Sequence, residues 1–115
     1  MAGTILLAGV LVDTPEQSLW DNDDPEFRAE AQGFAWLDDL AAYDTPEARR
    51  RAQAWTWDWI ARFGAGRGPG WSPDLIGRRI IRWVHHATFL LSGRNKAETE
   101  EFYRALAQQS AFLSH

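Results

Sequence analysis

This sequence predicts an all-α fold of antiparallel helical hairpins, on three observations. Apolar residues recur at three- and four-residue spacing through four stretches between residues 24 and 115, the period that puts them on one side of a helix. Three of those stretches open on a capping side chain followed by proline, at Asp24-Pro25, Thr45-Pro46 and Ser72-Pro73. The side chain accepts from free amides of the first turn, and proline loses nothing there because its missing N–H would have had no partner. Seven tryptophans and 45% hydrophobic residues in 115 positions supply apolar surface for one core, since each large ring buries about 150–250 Å².

Taken in order, residues 1–23 form an irregular lead-in. Thr4 to Val12 has the β-branched composition of one short strand, while Asp13-Thr14-Pro15 and Asp21-Asn22-Asp23-Asp24 are turn chemistry. The first helix begins at Asp24-Pro25 and runs to about Tyr43, with Phe27, Ala31, Phe34, Ala35, Leu37 and Leu40 as its sticky stripe. Thr45-Pro46-Glu47 starts the second after a short gap, and Gly64 supplies a left-handed stop. The gap is too short for anything but a tight antiparallel pair. A glycine-rich link, residues 64–70, leads to a third helix from Ser72-Pro73-Asp74 to about Leu91. Ser92-Gly93-Arg94-Asn95 then turns into a fourth, from about Lys96 to Ser114. Residues 24–115 therefore read as a single helical domain of two hairpins, 24–64 and 72–115. The shapes open to such a chain are an arc of an array of paired helices or a small four-helix bundle.

Composition narrows the function classes. A formal net charge of −4 offers no long-range attraction to nucleic acid or to an anionic membrane, so neither is expected as a partner. The lack of cysteine removes disulfides, thiol catalysis and Cys-ligated zinc, and leaves the compartment open. The apolar run Ile5 to Val12 has no basic flank and is far below the roughly 20 residues that span a bilayer, so neither signal peptide nor anchor is read there.

Two constellations are candidates for ligand contact. Trp55 and Trp59 share one side of the second helix, and Trp57 points about 200° away from Trp55. Packing accounts for both sides of such a helix, while a groove-lining indole would stack on a sugar face; Trp57 is the candidate. On the third helix Ile76, Ile80, Trp83, Val84, Ala87, Leu90 and Leu91 make the apolar stripe, and Arg78, Arg82, His85 and His86 gather near the opposite side. A solvated face explains such a cluster; a site for an acidic ligand is the functional reading, because guanidinium matches a carboxylate or sulfate bidentately. Arg78, Arg82 and His86 are the binding candidates. Arg79 lies beside the apolar stripe and calls for a carboxylate such as Asp38, Asp39 or Asp58.

Other chemistry finds no foothold. Adjacent His85 and His86 point about 100° apart with no third ligand at a helical interval, so no metal is expected. The glycine-rich link lacks Gly-Lys-Ser/Thr and follows no strand, so it reads as a hinge and not as a phosphate cradle, and no cofactor is implied. No serine elbow and no paired carboxylates in an apolar setting are present, which leaves the catalytic set empty.

The ordered pieces Phe34-x-Trp36-Leu37-x-Asp39-Leu40-x-Ala42, Trp59-Ile60, Trp71-x-Pro73 and Gly77-Arg78-Arg79-Ile80-x-x-Trp83 resemble the N-terminal helical region of the heparinase II/III-like family. Gly9 and Trp20 before them, and Leu106, Gln108, Gln109 and Leu113 after, fit the same region, so the resemblance runs over nearly the whole chain. It implies the opening arc of an (α/α) toroid, continued in full-length members by more hairpins and a β-sandwich, with glycan bound in the cleft between them. It also implies that the full-length protein is a polysaccharide lyase acting on uronic-acid glycans. In that β-elimination a base takes the proton α to the uronate carboxyl and the 4-linked sugar leaves, which requires a charge neutraliser, a base and an acid. In the family those roles fall to an Asn or similar residue, a His and a Tyr in motifs downstream of the region matched here. No role passes to His85, His86, Tyr43 or Tyr103. The resemblance thus implies a non-catalytic segment whose partners are the rest of its parent chain and acidic polysaccharide, with weak self-association through uncovered faces. The alternative is a stand-alone helical protein-interaction module.

Overall fold

The computed structural model describes residues 5–7, 10–12 and 19–114. Where one short strand was expected there are two, β1 (Ile5–Leu7) and β2 (Val10–Val12), paired antiparallel with Ile5 opposite Val12 and Leu7 opposite Val10. The turn chemistry at Asp13-Thr14-Pro15 lies outside the described residues.

Residues 19–114 are all-helical, in six helices where four were expected: α1 (Pro25–Gln32), α2 (Ala35–Tyr43), α3 (Pro46–Phe63), α4 (Pro73–His85), α5 (Ala87–Leu91) and α6 (Lys96–Leu113). The starts follow the capping chemistry. Asp24 accepts from the Phe27 amide at 2.9 Å, Thr45 from Ala48 at 3.0 Å and Ser72 from Leu75 at 3.4 Å. At α6, Asn95 and Glu98 exchange side-chain bonds with each other's amides, a full capping box. No described helix is long and apolar enough to cross a membrane.

The first extra break follows Gly33, which caps α1, and the second has no glycine or proline beside it. The first is at Phe34, in the left-handed region with φ 61° and ψ 31°, a conformation costing a residue with a side chain on the order of 1–3 kcal/mol. Complete burial of the ring offsets that cost. Phe34 sits with centroids 4.7 Å from Trp36, 5.5 Å from Trp83, 5.7 Å from Trp20 and 6.0 Å from Trp59. The second break is at His86, with φ −107° and ψ 21°, between α4 and α5. The end of α3 also differs from expectation: Gly64 is right-handed at φ −63°, and the left-handed positions are Gly66 and Gly68.

Packing joins α2 to α3 and α4 to α6, while α3 also touches α5 and α6, and α1 bridges α2 and α4. The core is an aromatic cluster at their meeting point. Trp83 stacks on Phe102 at 5.0 Å and meets Trp59 edge-on at 5.5 Å, and Trp36 meets Trp55 edge-on at 5.2 Å. Trp36, Trp59, Trp83, Phe34 and Phe102 are fully buried. At about 25 cal/mol per Å², each such ring contributes on the order of 4–6 kcal/mol before chain entropy is subtracted.

Candidate functional site

The helical period decides which α4 side chains face outward. Ile76, Arg79 and Trp83 are buried at spacings of three and four, which leaves Arg78, Ile81, Arg82 and His85 towards the other side. Val84, one step beyond Trp83 and expected in the apolar stripe, is instead 59% exposed, and its neighbour Ile81 is 70% exposed.

Three of the four binding candidates converge. Arg78, Arg82 and His86 line one depression of about 590 Å³, together with Asp38 of α2, Ile81 and His85. Asp38 is the residue that ties the group together. Its Oδ2 accepts from Arg82 Nε at 3.0 Å, its Oδ1 lies 2.7 Å from His86 Nε2, and Arg82 also donates through Nη1 to the Gly33 carbonyl at 3.3 Å. Partial burial alone pushes the Asp38 carboxyl up, but the hydrogen bonds and charges of His86 and Arg82 outweigh it and hold its pKa below the ordinary value. Arg78 is held more loosely, 3.3 Å from Asp74 one turn earlier on an exposed surface.

Trp57 is not brought to this depression. Its indole stacks on Phe102 of α6 at 6.0 Å, donates to the Glu98 carbonyl at 3.2 Å, and has the Arg94 guanidinium 5.4 Å from its ring centre. It joins α3 to α6, which is the packing account of a helix aromatic on two sides.

Arg79 corrects an expectation. It is fully buried, yet none of its hydrogen-bond partners is a carboxylate. Nη1 donates to the Gln32 carbonyl at 2.7 Å, Nη2 to the Gly70 carbonyl at 3.0 Å, and Nε to Gln109 Oε1. Its guanidinium lies 4.3 Å from the Trp59 ring centre, whose electron-rich face supplies the remaining stabilisation. Burial pushes its pKa down to about 9, so it stays charged at neutral pH. Trp59 in turn donates to Gln32 Oε1 at 2.7 Å, and Gln109 Nε2 to the Ala105 carbonyl at 3.1 Å. This network clasps the end of the glycine-rich link to α1, α3 and α6; it is structural, with Asp38 left free for Arg82.

A second depression, of about 530 Å³, lies on the other side of the His85-His86 pair and shares Asp38 with the first. It adds Asp44, Arg49 and Phe89. Nothing in the spacing of α3 pointed to Arg49, because its neighbours come from α2 and α5. Among the described residues no group of three or more His, Asp or Glu is arranged to hold a metal ion. The arrangement can hold an anion and orient an imidazole. No protein-family model, curated protein or solved structure matches the chain.

Proposed function

We propose that this chain is a non-catalytic N-terminal helical segment of a heparinase II/III-like polysaccharide lyase, whose full-length form cleaves uronic-acid glycans by β-elimination. In that protein it is the opening arc of an (α/α) toroid and carries one wall of the glycan cleft. The observation that carries the reading is the convergence of Arg78, Arg82 and His86 on one open depression beside the apolar side chain of Ile81. Guanidinium groups suit the carboxylate or sulfate of an acidic sugar, and an aliphatic wall suits its C–H face. The residues of the resemblance lend support from the fold side: Phe34, Trp36, Trp59, Arg79 and Trp83 are all fully buried, as a pattern that specifies a fold requires.

Titration calorimetry at low salt with uronate oligosaccharides and neutral oligosaccharides of equal length tests this. Weak binding of the acidic ligand, with a Kd of roughly 0.1–1 mM, and none of the neutral one is expected. Equal binding, or no binding of either, overturns the acidic-glycan assignment. Incubation with heparan sulfate or alginate is expected to yield no absorbance from unsaturated uronate, because the neutraliser, base and acid are not in this segment.

A second reading, a stand-alone helical protein-interaction module in the form of a small bundle, draws on Ile81 and Val84, which present an exposed apolar pair on α4. Light scattering separates the two. Self-association that Ile81→Glu abolishes fits the interaction module, whose contact is that apolar pair, whereas weak self-association that survives Ile81→Glu fits toroid faces away from the depression that neighbouring hairpins would cover.

A further inference from the structure

The two depressions meet at Asp38, His85 and His86, and their far ends are built alike. At one end Arg78 stands beside the exposed Ile81 and, among the described residues, pairs with Asp74 at 3.3 Å. At the other, Arg49 lies 5.6 Å from the Phe89 ring centre, reaches Asp44 only at 3.8 Å, and leaves its Nε without a hydrogen-bond partner. Each end thus offers a loosely held guanidinium and an apolar wall. The middle differs: Asp38 is paired with Arg82 and hydrogen-bonded to His86, and its carboxylate still has lone pairs for hydroxyl donors. Three arginines and two aspartates line the whole, and Asp74, beside it, pairs Arg78 on the exposed surface.

We infer that the two depressions are halves of one groove that takes an extended ligand with anionic groups at two places, one on Arg78 and Arg82, the other on Arg49, and hydroxyls between them at Asp38 and His86. This rests on the acidic-glycan reading above and adds its length requirement: the ligand is an oligomer of acidic sugars, and a single sugar acid fills only one half. Simultaneous engagement of both ends makes the second contact intramolecular, so affinity rises with ligand length once both are spanned.

Calorimetry on the whole chain with galacturonate monomer, dimer, tetramer and hexamer at low salt tests the inference. Affinity is expected to rise at least about tenfold from monomer to the longest oligomer. Arg49→Ala is expected to lower hexamer affinity about five- to tenfold and leave the monomer unaffected, whereas Arg78→Ala lowers both. Arg49→Gln, which keeps the stem over Phe89, guards against a folding defect and is expected to behave as Arg49→Ala. Hexamer binding no tighter than monomer, or untouched by either Arg49 variant, overturns the joined groove while leaving the acidic-glycan reading in place. Absence of binding by every acidic ligand overturns both.

Discussion

Arg79 holds its guanidinium 4.3 Å from the centre of the Trp59 ring, and the three acceptors around it are two carbonyls and an amide, with no carboxylate among them. A buried charge solvated by neutral dipoles and a ring is stable only while every one of those groups stays in place, because each is desolvated along with it.

Removal of that charge is therefore expected to be costly even though it relieves desolvation. Arg79→Met leaves Gln109 Oε1 and the carbonyls of Gln32 and Gly70 without their donor, for a loss of about 3–5 kcal/mol. Arg79→Lys keeps the charge but has no planar fork to reach three acceptors, and falls in between. Urea unfolding followed by far-UV circular dichroism measures both; a loss under about 1 kcal/mol for Arg79→Met would show that the network matters little.

Two glycines make opposite predictions. A Cβ added at Gly70 would land on Gln32 Oε1 and within 2.9 Å of Arg79 Nη1, so Gly70→Ala displaces the clasp and is expected to destabilise by about 1–3 kcal/mol. Gly77 is in the middle of α4 with nothing within 4 Å of an added Cβ. Gly77→Ala is expected to stabilise by about 0.5–1 kcal/mol through helix propensity. Thermal midpoints that move in opposite directions verify the pair.

Trp83 and Arg82 are adjacent on α4 and lie on opposite sides of the packing boundary. Trp83→Ala removes a fully buried ring from contact with Phe34, Trp59 and Phe102, at about 3–5 kcal/mol. Arg82→Ala breaks a partly exposed link from α4 to Asp38 and Gly33, worth about 0.2–1 kcal/mol. Similar melting midpoints for the two variants would mean the faces of α4 are wrongly assigned.

Asp38 gives an acid-side signature. Its folded pKa lies below the ordinary value near about 3.9, so its stabilisation is present above that value and is lost as pH falls through the folded pKa. Asp38→Asn lacks this contribution at every pH. The stability gap between wild type and Asp38→Asn, measured by urea melts from pH 5 downward, is expected to hold to about pH 4 and then close. A gap that widens on acidification would reverse the sign assigned to Asp38.

Much of the helical fold was legible because its signals are local. The starts of α1, α3, α4 and α6 follow from Asp24, Thr45, Ser72 and Asn95, each a side chain that satisfies amides within three residues of itself. The grouping of Arg78 and Arg82 follows for the same reason, since they stand one turn apart on α4, while His86, at the break after α4, joins them through Asp38.

What only the tertiary structure decided were events whose cause lies far along the chain. Phe34 turns left-handed because rings from Trp20, Trp36, Trp59 and Trp83 close around it, and no local propensity announces that. Asp38 joins Arg82 and His86 across more than forty positions, and Arg79 finds Gln32, Gly70 and Gln109 in place of a carboxylate. Trp57 packs against Phe102, away from the depression, because α3 has α6 on that side. The sequence by itself determined which stretches are helical and which side of each is sticky, through period and capping. Partner choice among the sticky and charged sides was settled by three-dimensional packing, where burial and the pairing of polar groups are satisfied together or not at all.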